Sequence, residues 1–523
     1  MPEYPPTDEQ HLAIEKYLTG DNLVIEALAG TGKTTALQFI AAAAPARRGL
    51  YAAFNKAIAQ EAQRRFQGTG VLAKTMHAIA YAEFGAPMQR RLGSRKPVMW
   101  SEKASILRIN DKYMFAPSDG ARVGALSRQQ LTRVTTETVN AFLRTAAETI
   151  TPNLVPVDPK WGNLTPAAER RLRDTVVQFA GRYWADLQDP NGGLRYTHDA
   201  YLKQFQLSRP TLPYDYIMLD EAQDSDPLII DILRRQQHAQ IVVVGDRNQA
   251  IYGWRGATDS MDAFGGAHVP LTMSFRFGDP IAAVANEWLD LLGTDTALRV
   301  RGLPGKPASV WDSTRTPEAV LTRTNGGALQ EAVETQMSGV PTGIAGERKA
   351  KELRDLAQAA RDLKEKGSTR HPELEPFNSW GDVVAYAESE DGGDLKPFVD
   401  IVEKVGAHQV VQVVDSCVPV ERARTVVSTA HVAKGLEWKH VRISDDFRDP
   451  GDRKGVPKPI PAEEARLAYV AVTRAYRHLD RRGFAWVPEY LARGGWVEGN
   501  PGGTAHVEGA SDTAPTPKQP VEA

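Results

Sequence analysis

The chain holds one cysteine, Cys417, in 523 residues. A single thiol excludes an internal disulfide and a cysteine-rich metal site, and it fits a reducing compartment. Long apolar runs are also missing, so no segment reads as a membrane span. The opening MPEYPPTDEQ is acidic and proline-rich, unlike a signal peptide. Charge of one sign is absent too: 63 Lys and Arg against 65 Asp and Glu leave a net charge of −2. A polyanion would have to be gripped by a local groove, because global charge offers nothing. Internal repeats are not evident. What is present is an ordinary globular composition, 42% hydrophobic and 24% charged. The length suits roughly three or four domains.

Several apolar runs end in polar residues, the pattern of parallel strands in open α/β sheets. The first is VIEALAGTGKTTALQFI, residues 24–40, which reads as strand, small-residue loop and helix. A triphosphate needs backbone N–H groups close to its oxygens. Gly30 and Gly32 allow that approach, and the helix N-terminus adds partial positive charge. Lys33 can reach the β and γ phosphates, and the Thr34 hydroxyl is placed to ligate Mg²⁺. Ala27 stands where the pattern G-x-x-x-x-G-K-[ST] has its first glycine, and it adds only a methyl group. A mere Gly/Thr-rich turn is the plain alternative; the strand before it and the helix after it argue for a nucleotide.

GLYAAFNK (49–56), YDYIMLDEAQD (214–224) and QIVVVGDRNQ (240–249) extend one strand set. AVLTRTN (319–325), RTVVSTAH (424–431) and HVRISDD (440–446) form a second. Two parallel sheets, each covered by helices, is the economical fold: an α/β protein with mainly helical insertions. The stretch 84–209 shows helical patterns, no clear strands, and a basic patch at Arg90, Arg91, Arg95 and Lys96. In the stretch 329–421, Leu353, Leu356, Ala360 and Leu363 share one helical face that ends at Gly367, a C-cap signal. From Gly494 the composition is Gly/Pro/Thr-rich and reads as a disordered tail.

Two further segments carry chemistry. In IMLDEAQD, a carboxylate at the end of an apolar strand is costly unless it serves a cation. Asp220 is placed to hold Mg²⁺, and Glu221 to orient or deprotonate an attacking water. In GDRNQAIYGWRGA (245–257), Gln249 follows a third strand and is placed to reach a γ-phosphate. Tyr252, Trp254 and Arg255 then form an aromatic and cationic cluster. An exposed Trp beside Arg suits base stacking, worth roughly 1–3 kcal/mol per base; an isolated Trp would read as core.

From Thr7 to about Phe484, the order of these motifs resembles the UvrD/Rep-like branch of superfamily 1 DNA helicases. The resemblance implies two RecA-like motor domains, ATP and Mg²⁺ as cofactors, and single-stranded DNA and duplex junctions as partners. TDEQHLAI resembles the adenine-reading segment, with Gln10 as reader. ALAGTGKT resembles the phosphate loop, in which Ala at the first position is common. The ATP-binding residues implied are then Ala27, Leu28, Ala29, Gly30, Thr31, Gly32, Lys33, Thr34 and Thr35. FNKAIAQEA and TMHAIA resemble segments that touch single-stranded DNA, through Phe54, Asn55, Thr75 and His77; Trp254 and Arg255 join them. MSFRF resembles a segment in which an aromatic stacks on adenine and an arginine meets the γ-phosphate, here Phe275 and Arg276. STAHVAKGLEW resembles one that binds DNA through Thr429 and His431 and the ribose through Glu437. EEARLAYVAVTRA carries a second arginine, Arg474.

Within that branch the chain is most similar to the F-box DNA helicase type, through YAAFNKAIAQEA, LTRTN, GIAGE, and KGLEW followed by DDF. No F-box precedes the adenine-reading segment here, so no ubiquitin-ligase role is expected. Thr35 sits where many relatives carry an Arg beside the adenine, which predicts weaker base discrimination. The stretch between LTRTN and STAH is short for the large accessory domain of UvrD.

The resulting expectation is a first motor domain over 1–83 and 210–270, interrupted by a helical insertion over 84–209. A second motor domain covers 271–328 and 422–493, with a reduced accessory insertion over 329–421 and a tail over 494–523. The expected activity is 3′→5′ travel on single-stranded DNA with duplex unwinding, in replication, recombination or repair, together with proteins of those processes. The expected location is the cytoplasm, nucleoid-associated or in a host if virus-encoded, and away from membranes. Rival readings are a 5′→3′ superfamily 1 motor, and a translocase that strips proteins from DNA with little unwinding. A superfamily 2 RNA helicase would end in Q-x-x-G-R-x-G-R, where this chain has AYVAVTRA.

Overall fold

The computed structural model describes residues 4–53, 55–92, 98–115, 124–156, 164–251, 261–310, 316–388, 395–453 and 456–500. The chain divides into two units. The first comprises Met1–Ala27 and Gly32–Leu271, the second Leu28–Thr31 and Thr272–Ala523. Among the described residues, no helix is long and apolar enough to cross a membrane.

The first unit is built on β1 (Leu23–Ala27), β2 (Gly49–Ala53), β3 (Val71–Thr75), β6 (Tyr216–Leu219), β7 (Gln240–Gly245) and β8 (Ala267–Leu271); β4 (Tyr113–Phe115) and β5 (Gly124–Leu126) pair as an antiparallel hairpin elsewhere. The sheet order is β3-β2-β6-β7-β1-β8, parallel throughout. Strands buried on both faces need apolar side chains in succession, and β1, β6 and β7 supply them. Alternation sorts the side chains between two cores. Leu23, Ile25, Val242 and Val244 join Tyr17, Leu37 and Phe66 on one face. Val24, Ile241 and Val243 join the other, with Leu107, Phe142, Leu172 and Phe205 of the stretch 84–209. That stretch therefore shares the first sheet's core instead of forming a core of its own.

Its expected basic patch is only partly a patch. Arg91 is buried, and its guanidinium donates to the carbonyls of Asp186, Leu187, Asp189 and Leu194 and to Asp186 Oδ1 at 3.0 Å. It ties a loop rather than facing a polyanion. Arg95 and Lys96 lie outside the described residues. The hairpin β4–β5 is the strand pair that the helical patterns hid.

The second unit opens with a short parallel pair, β9 (Met273–Ser274) and β10 (Arg301–Gly302). Its main sheet uses β11 (Ser309–Val310), β12 (Ala319–Thr322), β13 (Thr342–Ile344), β14 (Thr425–Thr429), β15 (Trp438–Ile443) and β18 (Ala475–Asp480). The order is β11-β18-β15-β12-β14-β13, again parallel. A ribbon of β16 (Asp452–Arg453) and β17 (Val456–Pro457) stands apart. Helix Glu347–Lys366 buries Leu353, Leu356, Ala360 and Leu363 and packs against helices Trp380–Ala387 and Ala407–Asp415, and ends on Gly367 at φ 71°. The stripe read from sequence is thus a core face, continuous with Val320 and Val427 of the sheet. The expected tail starts too early: Val497 is buried, and Trp496 C=O accepts from the Tyr490 hydroxyl at 2.7 Å. Packing continues to Asn500, whose amide donates to Leu291 O at 3.1 Å.

A turn of two glycines shows how the first sheet is stitched. Asn22, just before β1, accepts from Ile241 N–H through its side chain and from Ala267 N–H through its carbonyl. Gly266 at φ 107° packs against that carbonyl so closely that a Cβ would overlap it, whereas Gly265 at φ 63° faces open space. Ala at a left-handed position costs about 1–2 kcal/mol from backbone sterics alone. Gly265→Ala should lose about that much in a denaturant melt. Gly266→Ala should lose clearly more, because the turn must also open; equal losses would contradict the stitch.

Candidate nucleotide site and nucleic-acid face

Three neighbouring strands, β6, β7 and β1, end beside one another. Ligands of open α/β sheets bind at such carboxyl ends. The loop after β1 turns through Gly30 at φ 76° and Gly32 at φ 81°, left-handed values that favour glycine. Ala27, Leu28, Ala29 and Thr31 are buried, and the Thr31 hydroxyl donates to Leu28 O at 2.8 Å, bracing the loop from within. Gly32 caps helix Lys33–Ala43 without a side-chain bond. Lys33, Thr34 and Thr35 occupy its first turn, where free N–H groups point outward.

Asp220 and Glu221 follow β6 directly. Asp220 is buried; the Tyr51 hydroxyl on β2 donates to its Oδ2, and Glu221 N–H donates to its Oδ1 at 2.8 Å. Burial, and then the neighbouring Glu221 charge, push its carboxyl up to about 6; the Tyr51 bond and the Lys33 ammonium pull the other way. Lys33 and Asp220 are therefore electrostatic neighbours across the ends of β1 and β6. Burial and Asp220 together keep the Tyr51 phenol protonated. Glu221 sits at φ 52°, a left-handed value for a non-glycine residue, at a cost of about 1–3 kcal/mol. That conformation turns the chain into the short helix Ala222–Asp224.

Gln223 links this turn to β7. Its amide donates to Glu221 Oε2 at 2.5 Å and accepts from Asp246 N–H at 3.1 Å. Gly245 allows the approach, since a Cβ there would collide with the Gln223 amide. Asp246 in turn accepts from Asn248 N–H and from Gln249 Nε2 at 2.6 Å. Arg247 bridges Glu26 on β1 at 3.1 Å and Asp262 at 2.5 Å. A polar chain thus runs from Glu221 to Gln249. Tyr51, Gln223 and Arg247 were not singled out in sequence. Their signal was slight: a polar-tipped aromatic in a buried strand, and polar letters inside motifs already read for other residues.

In the second unit, Arg276 Nε pairs with Glu437 Oε2 at 2.7 Å, and its Nη1 donates to Thr473 O at 2.9 Å. Arg474 is 2% exposed and donates to Val470 O and to Thr473 Oγ1, each at 2.9 Å. Arg276, Arg474 and Glu437 are thereby gathered around Thr473. Phe275 beside them is 38% exposed, and its carbonyl accepts from Lys306 Nζ at 2.6 Å.

The remaining predicted residues fall at element starts. Gln10 is buried in the first turn of helix Asp8–Leu18, where its amide oxygen accepts from Thr7 N–H in a reciprocal cap. Asn55 caps helix Lys56–Arg65 and Thr75 caps helix Met76–Ala80, just after β2 and β3, which are neighbours. His77 follows, partly exposed. Thr429 is buried at the end of β14, and His431 follows in helix Ala430–Ala433. Phe54, Trp254 and Arg255 lie outside the described residues.

A glycine-turned loop after β1 and a carboxylate pair after β6, with only β7 between them, and a second parallel sheet in the same chain, mark a two-sheet P-loop protein. Residues 7–261 match the model of the UvrD/REP helicase N-terminal domain, and residues 318–480 that of the UvrD-like helicase C-terminal domain. The chain belongs to the UvrD/Rep-like helicases of superfamily 1. It is 29% identical to F-box DNA helicase protein 1 of Schizosaccharomyces pombe over 526 residues, which covers 90% of this chain and 57% of that protein. It is 30% identical to F-box DNA helicase 1 of Gallus gallus over 515 residues, 90% of this chain and 48% of that protein. The chain spans about half the length of these curated relatives.

Separate roles predict separable defects. Lys33→Ala should abolish ATP hydrolysis and weaken nucleotide binding, as measured by fluorescent-nucleotide titration. Glu221→Gln should bind nucleotide normally while turnover falls by about 10²–10⁴, the usual worth of a general base. Tyr51→Phe should keep binding but raise the Mg²⁺ requirement by about tenfold, as loss of a partner behind a metal ligand does. Near-parental hydrolysis by Glu221→Gln would contradict the role assigned to it.

Proposed function

We propose that this chain is an ATP-dependent DNA helicase that moves 3′→5′ along single-stranded DNA and unwinds duplex. The observation that carries the hydrolytic half of this reading is the Asp220–Glu221 pair beside Lys33, joined through Gln223 to Asp246 and Gln249. The DNA half rests on family membership and on the similarity to the two DNA helicases named above.

Phosphoryl transfer needs charge neutralisation and positioning more than covalent chemistry. Lys33 supplies positive charge at the helix N-terminus, and Glu221 orients the attacking water. Mg²⁺ suits the donors, since this ion takes one or two carboxylates beside substrate phosphates. Thr34 and Asp220 would hold it. When bound, it would neutralise phosphate charge and relieve the burial that pushes the Asp220 carboxyl up.

In this reading Arg276 and Arg474 supply positive charge to the γ-phosphate. Gln10, Phe275 and Glu437 frame the base and ribose in this reading. Asn55, Thr75, His77, Thr429 and His431, with Phe54, Trp254 and Arg255, hold the strand. A grip on the strand that changes with nucleotide state then steps it along. Duplex stacking costs roughly 1.4 kcal/mol per base-pair step, well within one hydrolysis event. Single strands and duplex junctions of replication, recombination or repair are the substrates.

The deciding assay is unwinding of tailed duplexes with ATP. A 3′ tail should support unwinding and a 5′ tail should not; unwinding from 5′ tails alone would overturn the direction. Protein removal without strand separation would favour the stripping translocase. Among the arginines, Arg276→Ala should cut turnover by about 10³ or more with little change in melting temperature. Arg474→Ala should cut turnover and also lower the melting temperature, because its guanidinium closes a helix end. Turnover that survives both single changes within a few-fold would overturn the proposed use of the arginines.

A further inference from the structure

His77 has a neighbour that the motifs do not name. Asp199 Oδ1 lies 3.9 Å from His77 Nε2, with side chains 48% and 38% exposed respectively. Asp199 sits in the first turn of helix His198–Leu207, where the helix N-terminus also favours a carboxylate. Its carboxyl is held below the usual range, first by the neighbouring His77 imidazole. Tyr201 on the same helix meets the His77 ring edge-on at 6.1 Å, meets Tyr81 at 5.9 Å, and is bonded to His198 Nδ1 at 3.0 Å. The imidazole is therefore held between an acid and an aromatic wall.

A second acid shares this field. Asp226 caps helix Pro227–Arg234 through Leu228 N–H at 2.9 Å, and it stands three residues after Gln223. Burial raises its carboxyl first, and Asp199 adds to that; the Leu228 bond, His77 and Arg144 oppose it. Asp199 also feels Arg144 and His198. The helix that carries Asp199 packs against the helix that Asp226 begins, and Gln206 Nε2 donates to Asp231 Oδ2 at 2.7 Å between them.

We propose that Asp199 is a positioning residue that couples strand binding at His77 to ATP turnover. A DNA phosphate competes with Asp199 for His77. As His77 turns toward the phosphate, Asp199 loses its neighbour, and the helix that carries it shifts against the helix that Asp226 caps. That cap begins the helix leading from Ala222–Asp224, the segment in which Gln223 holds Glu221. The coupling runs through packed groups of the first unit, with two arrangements of the His77 ring as its switching element. It rests on the proposal above that His77 contacts DNA.

The test is steady-state ATP hydrolysis by the full chain and by Asp199→Asn, titrated with an oligothymidylate. The amide keeps the shape and removes the charge. Hydrolysis without DNA should be unchanged, while the maximal rate at saturating DNA should fall by about fivefold or more, in the range of ordinary coupling between sites. Asp199→Glu should restore most of it, a rescue that a packing role would not show. If the parent is stimulated and Asp199→Asn is stimulated equally, the coupling is overturned while the helicase reading stands. If the parent is not stimulated by the oligonucleotide at all, the helicase reading falls and the coupling falls with it. A loss of DNA-free hydrolysis in Asp199→Asn, or a lowered melting temperature in parallel, would assign Asp199 to structure and also overturn it.

Discussion

Two carboxyl groups stand side by side at the end of a buried strand, and Asp220 is shut away from bulk water. A buried ionised carboxylate beside a second one is unfavourable unless something positive comes close. The local arrangement meets that constraint in parts. Lys33 approaches from the neighbouring loop, the Tyr51 hydroxyl and Glu221 N–H bond the carboxylate, and Glu221 takes a left-handed conformation that carries the chain sharply away. The unfavourable residue is charge demand, and a phosphate-bound cation would meet it.

The same constraint accounts for the polar chain behind the pair. Glu221 would be loosely placed by its own strained turn, and Gln223 fixes it to the β7 loop. Asp246 and Gln249 continue that loop, while Arg247 clamps it to Glu26 and Asp262. The ends of β6, β7 and β1 are held together side to side, so a displacement at one is felt at the others. In the proposed reading, such a displacement would report nucleotide occupancy to the strand-binding residues that follow β2 and β3.

Much of the architecture was legible because parallel strands buried on both faces leave a plain mark. VIEA, YIML and QIVVVG read as strands, and each ends on residues that chemistry requires. β3, β8, β11, β13 and β18 were not read. β3 and β18 mix buried and open positions, β8 carries Pro270, and β11 and β13 are only two or three residues long. Lys33, Thr34, Asp220, Glu221 and Gln249 could be seen because their motifs are local in sequence. Tyr51, Arg247 and Asp199 could not, since each matters through partners 169, 221 and 122 positions away that only the folded chain brings near. Arg91 shows the reverse error: four basic residues close in sequence read as a basic patch, yet one of them is a buried tie for carbonyl groups.

The gathering of Arg276, Glu437 and Arg474 around Thr473 has a similar logic, with cationic groups held on carbonyl and carboxylate oxygens. The most direct test of a nucleotide held by Lys33, Thr34 and Asp220 is a crystal structure of the chain with Mg²⁺ and a non-hydrolysable ATP analogue. The account predicts the phosphates on the Gly30–Lys33 loop, with the cation between the Thr34 hydroxyl and Asp220. A nucleotide bound elsewhere, or a cation distant from both residues, would contradict it.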